Sequence, residues 1–377
     1  MEPLLDTIVI GAGQAGLVAG YHLQRAGLRF TILEASAQPG GSWPQYYDSL
    51  RLFSPARFSS LPGLPFPGDP GRYPSRDDVV GYLQAYAAQF RLPVVTSTRV
   101  AEVTQDGAQF LVHSDDGRVF AGRSLIAATG AFHRPYLPQL SGEEQFRGTI
   151  AHASGYRTPT PFVGQRIVVV GGGNSAVQIA AELARTARVT LATRHPLRFV
   201  AQRPLGRDIH FWLWLLRLDT SPFDSPSGGI FARLASGKGP QVLDAGVYRA
   251  ALAAGAPDVQ PMFSAFTAAG VRWPDGSEEA VDSVIFATGY RPSLDYLRAL
   301  GALDAAGLPL HRHGVSTILP GLGFVGLENQ RTFASATLRG VGADAAVVVR
   351  ALRSQLRAAV LVEEPAWRRC CPPRIAA

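Results

Sequence analysis

Two stretches decide the fold: TIVIGAGQAGLVAGYHLQRAGLRFTILEAS, residues 7–36, and RIVVVGGGNSAVQIAAELARTARVTLATRH, residues 166–195. Each opens with a run of valine and isoleucine, the pattern of a strand buried on both faces. Glycines follow at fixed spacing: Gly11, Gly13 and Gly16 in the first, Gly171 and Gly173 in the second, where Ala176 takes the third place. An alanine-rich helical stretch and a second apolar run complete each unit. Strand, glycine turn, helix and strand form a βαβ unit that seats a dinucleotide pyrophosphate. The first glycine allows the tight turn, the second lets backbone approach phosphate, and the third packs helix on strand. The helix N-terminus supplies N–H donors and a favourable dipole.

The second strands differ at their ends. ILEAS closes with Glu34 and Ala35, and that carboxylate suits a ribose diol and repels a phosphate on it, which fits FAD or NAD. TLATRH instead offers Arg194 and His195. Arginine grips a 2′-phosphate with its planar fork, and His195 is placed to assist or to stack on adenine. NADPH is the expected ligand of the second unit, with NADH as an alternative donor.

Both units then repeat a second pattern. Asp106-Gly107 and Asp116-Gly117 punctuate alternating runs in one half, and Asp275-Gly276 does so in the other; such pairs signal hairpins. Each set leads into an apolar strand ending in Ala-Thr-Gly: Ala128-Thr129-Gly130 and Ala287-Thr288-Gly289. The expected fold is therefore α/β, with two Rossmann-like dinucleotide-binding domains, each carrying a small β-hairpin excursion. The second domain is inserted in the first, because the chain beyond Tyr290 must complete something. The expected boundaries are 1–157 for the first part of the FAD domain, 158–286 for the NAD(P)H domain, and 287–377 for the completion of the FAD domain and a tail. Proline-rich Ser59–Pro74 reads as an ordered surface excursion, Gly155–Phe162 as an inter-domain hinge, and Ser221–Gly229 as a mobile loop.

The chain has 377 residues, enough for two cores, and is 46% hydrophobic and 17% charged, an ordinary globular balance. Its formal net charge is +7, almost all from arginine, since Lys238 is the only lysine. No arginine cluster is interleaved with aromatics, so nucleic acid is not an expected partner, while a basic balance attracts anionic pyridine nucleotides. No secretory signal is visible, and a cytoplasmic location is expected. The most apolar stretch, Ile209–Leu218, is too short for a membrane span. It reads as a buried helix, a lid over a substrate cavity, or a subunit contact that would make a homodimer, with a membrane-surface helix as a lesser alternative. The two cysteines, Cys370 and Cys371, are adjacent in the tail, which excludes a disulfide framework. No metal-spaced cluster occurs.

Between the two units lies FRGTIAHASGY, residues 146–156. Phe146, Gly148, His152 and Tyr156 fit FxGxxxHxxxY, the identifying motif of flavin-containing monooxygenases, and the chain resembles that family. Gly40–Trp43 (GGSW), Leu50–Pro55 (LRLFSP), YPSRDDVVGYLQAYA, GGGNSAVQIA and FATGYRP extend the resemblance from Thr7 to Ala346. It is nearest to short bacterial members and to plant YUCCA-like enzymes. The resemblance implies that NADPH reduces FAD, that reduced flavin and dioxygen give a flavin hydroperoxide, and that one oxygen passes to a thioether, an amine or a ketone. It places Gly11, Gly13, Gly16 and Glu34 on FAD, with Gly41, Ser42 and Trp43 near its ribityl or isoalloxazine portion. Gly171, Gly173, Asn174, Ser175 and Arg194 fall to NADPH. The two Ala-Thr-Gly triplets pass close to the cofactors, and His152 and Tyr156 take a structural or hinge role. Phe53 and Asn174 are the candidate catalytic positions. Phe53 departs from the family: it stands where many members have an asparagine that contacts flavin and nicotinamide, and phenylalanine makes no such hydrogen bonds.

Two other readings share both nucleotide units. A disulfide reductase needs a cysteine pair near the flavin, and Cys370 and Cys371 sit on a terminal tail. A redox sensor or electron-transfer flavoprotein would give no oxygenated product.

Overall fold

The computed structural model describes residues 4–132, 134–235, 239 and 241–363; Lys238, Cys370 and Cys371 lie outside them. Two sheets share one strand order. In the first, five parallel strands run Val94–Val95, Phe30–Leu33, Thr7–Ile10, Leu125–Ala127 and Leu322–Phe324. In the second they run Asp258–Pro261, Arg188–Thr193, Arg166–Val170, Ser283–Phe286 and Thr149–His152. His311–Arg312 and Val315–Ser316 add an antiparallel edge to the first sheet.

Alternation along the central strands explains the layering. In Thr7–Ile10, Val9 faces a core shared with Leu17 and Val18 of the helix Gln14–Arg25 and with Val341 and Val348 of the long helix Leu338–Glu363. Ile8 and Ile10 face the other way, onto Phe110, Val112 and Phe120. The second sheet repeats this. Ile167 and Val169 meet Val177 and Ala180 of the helix Asn174–Leu183, and Val168 and Val170 meet Phe266, Val271 and Trp273. Strands whose successive side chains are all buried need such cover on both faces. Each expected hairpin is part of a three-stranded antiparallel meander, Val100–Gly122 in one half and Ala265–Ala280 in the other.

The insertion is visible in the strand order. The first sheet gains Leu322–Phe324 only after the chain has returned from the second. The second gains Thr149–His152, which precedes its own fingerprint. The boundary read at 157/158 therefore differs from the pairing: residues 149–152 belong to the second sheet. The hinge moves with it. The chain crosses between sheets just after each Ala-Thr-Gly triplet, where Arg134–Pro135 and Tyr290–Arg291 pair as a short antiparallel ribbon.

Two further readings change. Ser221–Gly229 is not simply a loop, because a helix spans Pro226–Ala235. Ser225 Oγ accepts from the Gly228 amide at 3.2 Å, and proline takes the next position, two helix-starting devices together. The apolar run forms the helix Ile209–Leu216, but only His210 in it is buried, and Trp214 is 61% exposed. It is not a buried helix.

This arm, residues 202–235, leaves the second half and docks on the first. The Asp219 carboxylate, 1% exposed, pairs with Arg339, whose Nε donates at 2.7 Å. Ala334 donates its amide to the Asp219 carbonyl and Phe223 donates to the Arg331 carbonyl. Removing one partner of a buried pair strands the other charge. Asp219→Ala is therefore expected to lower the unfolding free energy by about 3–5 kcal/mol, read as a lower urea midpoint; no change would mean that Arg339 finds solvent or another acceptor.

Candidate functional site

Both fingerprint turns open into one cleft of about 1140 Å³. Gly13 and Gly173 cap the two following helices, and neither helix start is closed by a side chain. The first-turn amides thus remain available to phosphate. Gly11 has φ +101°, and a β-carbon on Gly16 would lie 1.7 Å from the Gly11 carbonyl oxygen. Gly16 itself does not line the cleft; it lets helix and turn close together. Gly41, at φ +58°, packs on Gly13 so tightly that a β-carbon there would lie 2.8 Å from the Gly13 Cα. These two glycines leave a backbone-lined cradle that any side chain would fill, which fits a pyrophosphate.

Glu34 is buried at the end of its strand. Its Oε2 accepts from the Ala12 amide at 2.6 Å and its Oε1 from the Ser36 amide at 2.9 Å. Each oxygen retains a lone pair for a ribose hydroxyl. Ala35 lines the cleft beside it. Ser42 and Trp43 are held from behind: the Trp43 indole donates to Gln14 Oε1 at 3.2 Å, and Gln14 donates to the Ala336 carbonyl at 2.6 Å. Ala128, Thr129 and Gly130 complete this side, with Thr129 Oγ1 3.2 Å from the Tyr296 hydroxyl.

On the other side Gly171, Gly173, Asn174 and Ser175 line the cleft, as do Arg194, His195, Ala287, Thr288 and Gly289. Arg194 and His195 are exposed at the end of the strand Arg188–Thr193. Asn174, a candidate catalytic position, also has a structural bond. Its Oδ1 accepts from the Leu243 amide at 3.0 Å, so its carboxamide fastens the strand Gln241–Asp244 to the fingerprint helix. Thr288 Oγ1 donates to the Tyr136 carbonyl, and the Tyr136 amide donates to Gly289, which ties the two crossing segments together.

The motif residues between the fingerprints act as ties. His152 Nδ1 accepts from the Ser154 amide at 3.0 Å, so Nε2 carries the proton and donates to the Gly289 carbonyl at 3.0 Å. Burial pushes the His152 pKa below its ordinary 6.5. The Tyr156 hydroxyl donates to Glu182 Oε2 at 2.8 Å, and Ser49 from the first half donates to the same oxygen at 2.9 Å.

Phe53 lines the cleft and is 39% exposed. Several other cleft residues escaped the sequence reading. Gln14 lies inside the first fingerprint, at a position whose identity the glycine spacing leaves open. Tyr46 and Tyr47 follow GGSW after Pro44 and Gln45, and burial raises both phenols above the usual range. Glu328 and Asn329 come from the return segment, and the confined recess raises the Glu328 carboxyl. Nothing local in sequence marks those two, because the strand Leu322–Phe324 delivers them from the far side of the insertion.

Two dinucleotide sites facing one cleft define a flavoprotein oxidoreductase with a pyridine-nucleotide partner. The chain belongs to the pyridine nucleotide-disulphide oxidoreductase family, which it matches over residues 8–209, and within it to the short flavin-containing monooxygenases. It is 33% identical to an oxidoreductase from Geobacillus kaustophilus described as CzcO-like, over 93% of this chain and 98% of that one. It is 31% identical to indole-3-pyruvate monooxygenase YUCCA4 of Oryza sativa subsp. japonica, over 77% of this chain and 75% of the relative. The flavin-containing monooxygenase of Stenotrophomonas maltophilia superposes with a TM-score of 0.81 at 36% identity, covering 94% of this chain and 99% of that one. Bacillithiol disulfide reductase from Bacillus cereus, at 20% identity and a TM-score of 0.71, shares the fold. The protein is an oxidoreductase that uses FAD and NAD(P)H, and flavin monooxygenases are among its relatives. Among the described residues, no helix is long and apolar enough to cross a membrane.

The depressed His152 pKa sets a pH dependence. As pH falls below 6.5, the unfolded chain takes up a proton that the folded imidazole refuses, so folding stability drops with falling pH. His152→Gln keeps an N–H for Gly289 and removes this proton. Its unfolding midpoint is expected to fall less steeply below pH 6.5 than that of the parent; burial also depresses His22 and His311, so some slope remains. An unchanged slope would contradict the assignment.

Proposed function

We propose that the protein is an NADPH-dependent monooxygenase that transfers one oxygen atom from dioxygen to a small soft nucleophile, a thioether or an amine. The single observation that carries this reading is the shared cleft: both glycine turns, and Phe53 beside them, open into one space. FAD, when bound, supplies hydride acceptance and the activation of dioxygen. The chain's own groups do the rest. The Gly13 turn and its helix start hold the FAD pyrophosphate, and Glu34 takes the ribose diol. The Gly173 turn holds the second pyrophosphate, and Arg194 grips the 2′-phosphate. Phe53 contributes a dry surface without a hydrogen bond to give. Among the described residues that line the cleft none is cysteine, and Cys370 and Cys371 lie outside the described residues. A ketone substrate is the second reading within the same chemistry.

The test is turnover of NADPH in air with thioethers, amines and ketones, with product and hydrogen peroxide both counted. Sulfoxide or N-oxide formation is expected. Peroxide in full stoichiometry with every compound would overturn the reading. Arg194→Gln is expected to raise the KM for NADPH by about tenfold, the equivalent of one charge-assisted contact near 1.4 kcal/mol, and to leave the KM for NADH nearly unchanged. Equal changes for both donors would remove Arg194 from 2′-phosphate recognition. Phe53→Asn restores a hydrogen-bonding side chain and is expected to lower the share of NADPH electrons that end in peroxide; an unchanged share would contradict the role given to Phe53.

A further inference from the structure

Behind Phe53 lies a buried polar network that the cofactor sites do not use. Asp208 stands at the start of the arm helix Ile209–Leu216. Its Oδ1 accepts from the His210 amide at 2.8 Å and from His210 Nδ1 at 2.7 Å. Its Oδ2 accepts from the Tyr73 hydroxyl at 2.5 Å and from Gln202 Nε2 at 2.8 Å. Four donors converge on one carboxylate whose side chain is 12% exposed. The His210 ring is 2% exposed.

Two contacts run from this network to Phe53. Gln202 Nε2 also donates to the Phe53 carbonyl, at 2.9 Å. The His210 ring lies nearly parallel to the Phe53 ring, 24° between planes and 6.0 Å between centroids. Phe58 packs on His210 from the same segment, 6.4 Å between centroids. Phe53, Phe58 and Tyr73 belong to the first half of the molecule, whereas Gln202, Asp208 and His210 belong to the arm of the second. A buried imidazole with one nitrogen fixed by a fully bonded carboxylate has little rotational freedom, which is costly to arrange for packing alone.

We propose that His210, oriented by Asp208 and aided by Gln202, is a positioning residue that sets the face Phe53 presents to the cleft. The half that carries the nicotinamide nucleotide thereby controls a wall of the flavin side. The contact is made across the molecule, so Phe53 is placed only when the arm is docked. Every bond in the network is a hydrogen bond or ring contact within the chain, and no group changes oxidation state.

The proposal is tested by a double-mutant cycle on the FAD-loaded protein with His210→Ala, Phe53→Ala and both. One readout is the rate of NADPH oxidation in air without substrate, which needs no oxygenated product and so stands if the oxygenase reading fails. The other is deuterium uptake by residues 50–58. His210→Ala is expected to change the oxidation rate by at least about twofold, and to do so only when Phe53 is present, as contacting residues couple. It is also expected to raise uptake in residues 50–58. His210→Phe keeps a ring against Phe53 and is expected to recover most of the rate. Should His210→Ala fail to fold, Gln202→Ala removes the carbonyl anchor and one of the four donors to Asp208, and is expected to shift both readouts in the same direction. Equal rate changes with and without Phe53, or unchanged uptake in residues 50–58, would overturn the proposal.

Discussion

The constraint on which the rest depends is the exchange of strands across the insertion. Each sheet is completed by a strand from the other side of the sequence break, Leu322–Phe324 in the first and Thr149–His152 in the second. Both exchanged strands lie next to the strand that ends in Ala-Thr-Gly, and the chain crosses between sheets just beyond those triplets. The two glycine turns are therefore brought to opposite walls of one cleft. Hydride exchange between two cofactors requires that proximity, and no single local motif supplies it.

Around that frame the two halves are tied at several points of different chemistry. Tyr47 donates to Gln178, Ser49 donates to Glu182, and Asp219 pairs with Arg339. Most of these ties are buried or half-buried, so they weaken little with salt. Within the second half, His152 bonds the Gly289 carbonyl and Tyr156 bonds Glu182, so the polar groups of these two motif residues are spent on neighbours. The arm adds a separate tie that ends at Phe53, close to the cleft itself.

Much of this was legible in the chain. The Val-Ile runs and glycine spacing fix the central strands, and the strands are indeed covered on both faces, as Ile8 and Val9 show. Gly11, Gly13, Glu34, Gly171, Gly173 and Arg194 line the cleft because motif glycines, strand-end acids and strand-end arginines have only one place to go in a βαβ unit. What stayed hidden depends on non-local pairing. The strand Thr149–His152 looks like part of the first half until its partner Ser283–Phe286 is known. Glu328 and Asn329 carry no motif. The apolar composition of the arm helix allows a buried helix among other readings, yet its one buried side chain is a histidine, held by the nearby Asp208 carboxylate, which in turn accepts from Tyr73 of the first half. Asn174 lines the cleft as read, and its bond to the strand Gln241–Asp244 carries no local signal in the sequence.

The central claim is that electrons from NADPH allow this cleft to place one atom of dioxygen on an organic substrate. The most direct measurement supplies the FAD-loaded protein with NADPH, isotopically labelled dioxygen and an aryl thioether, and weighs the product. The account predicts a sulfoxide carrying one labelled oxygen, formed only when NADPH and dioxygen are both present. Labelled hydrogen peroxide with unmodified thioether, or a sulfoxide that disappears when catalase removes free peroxide, would contradict it.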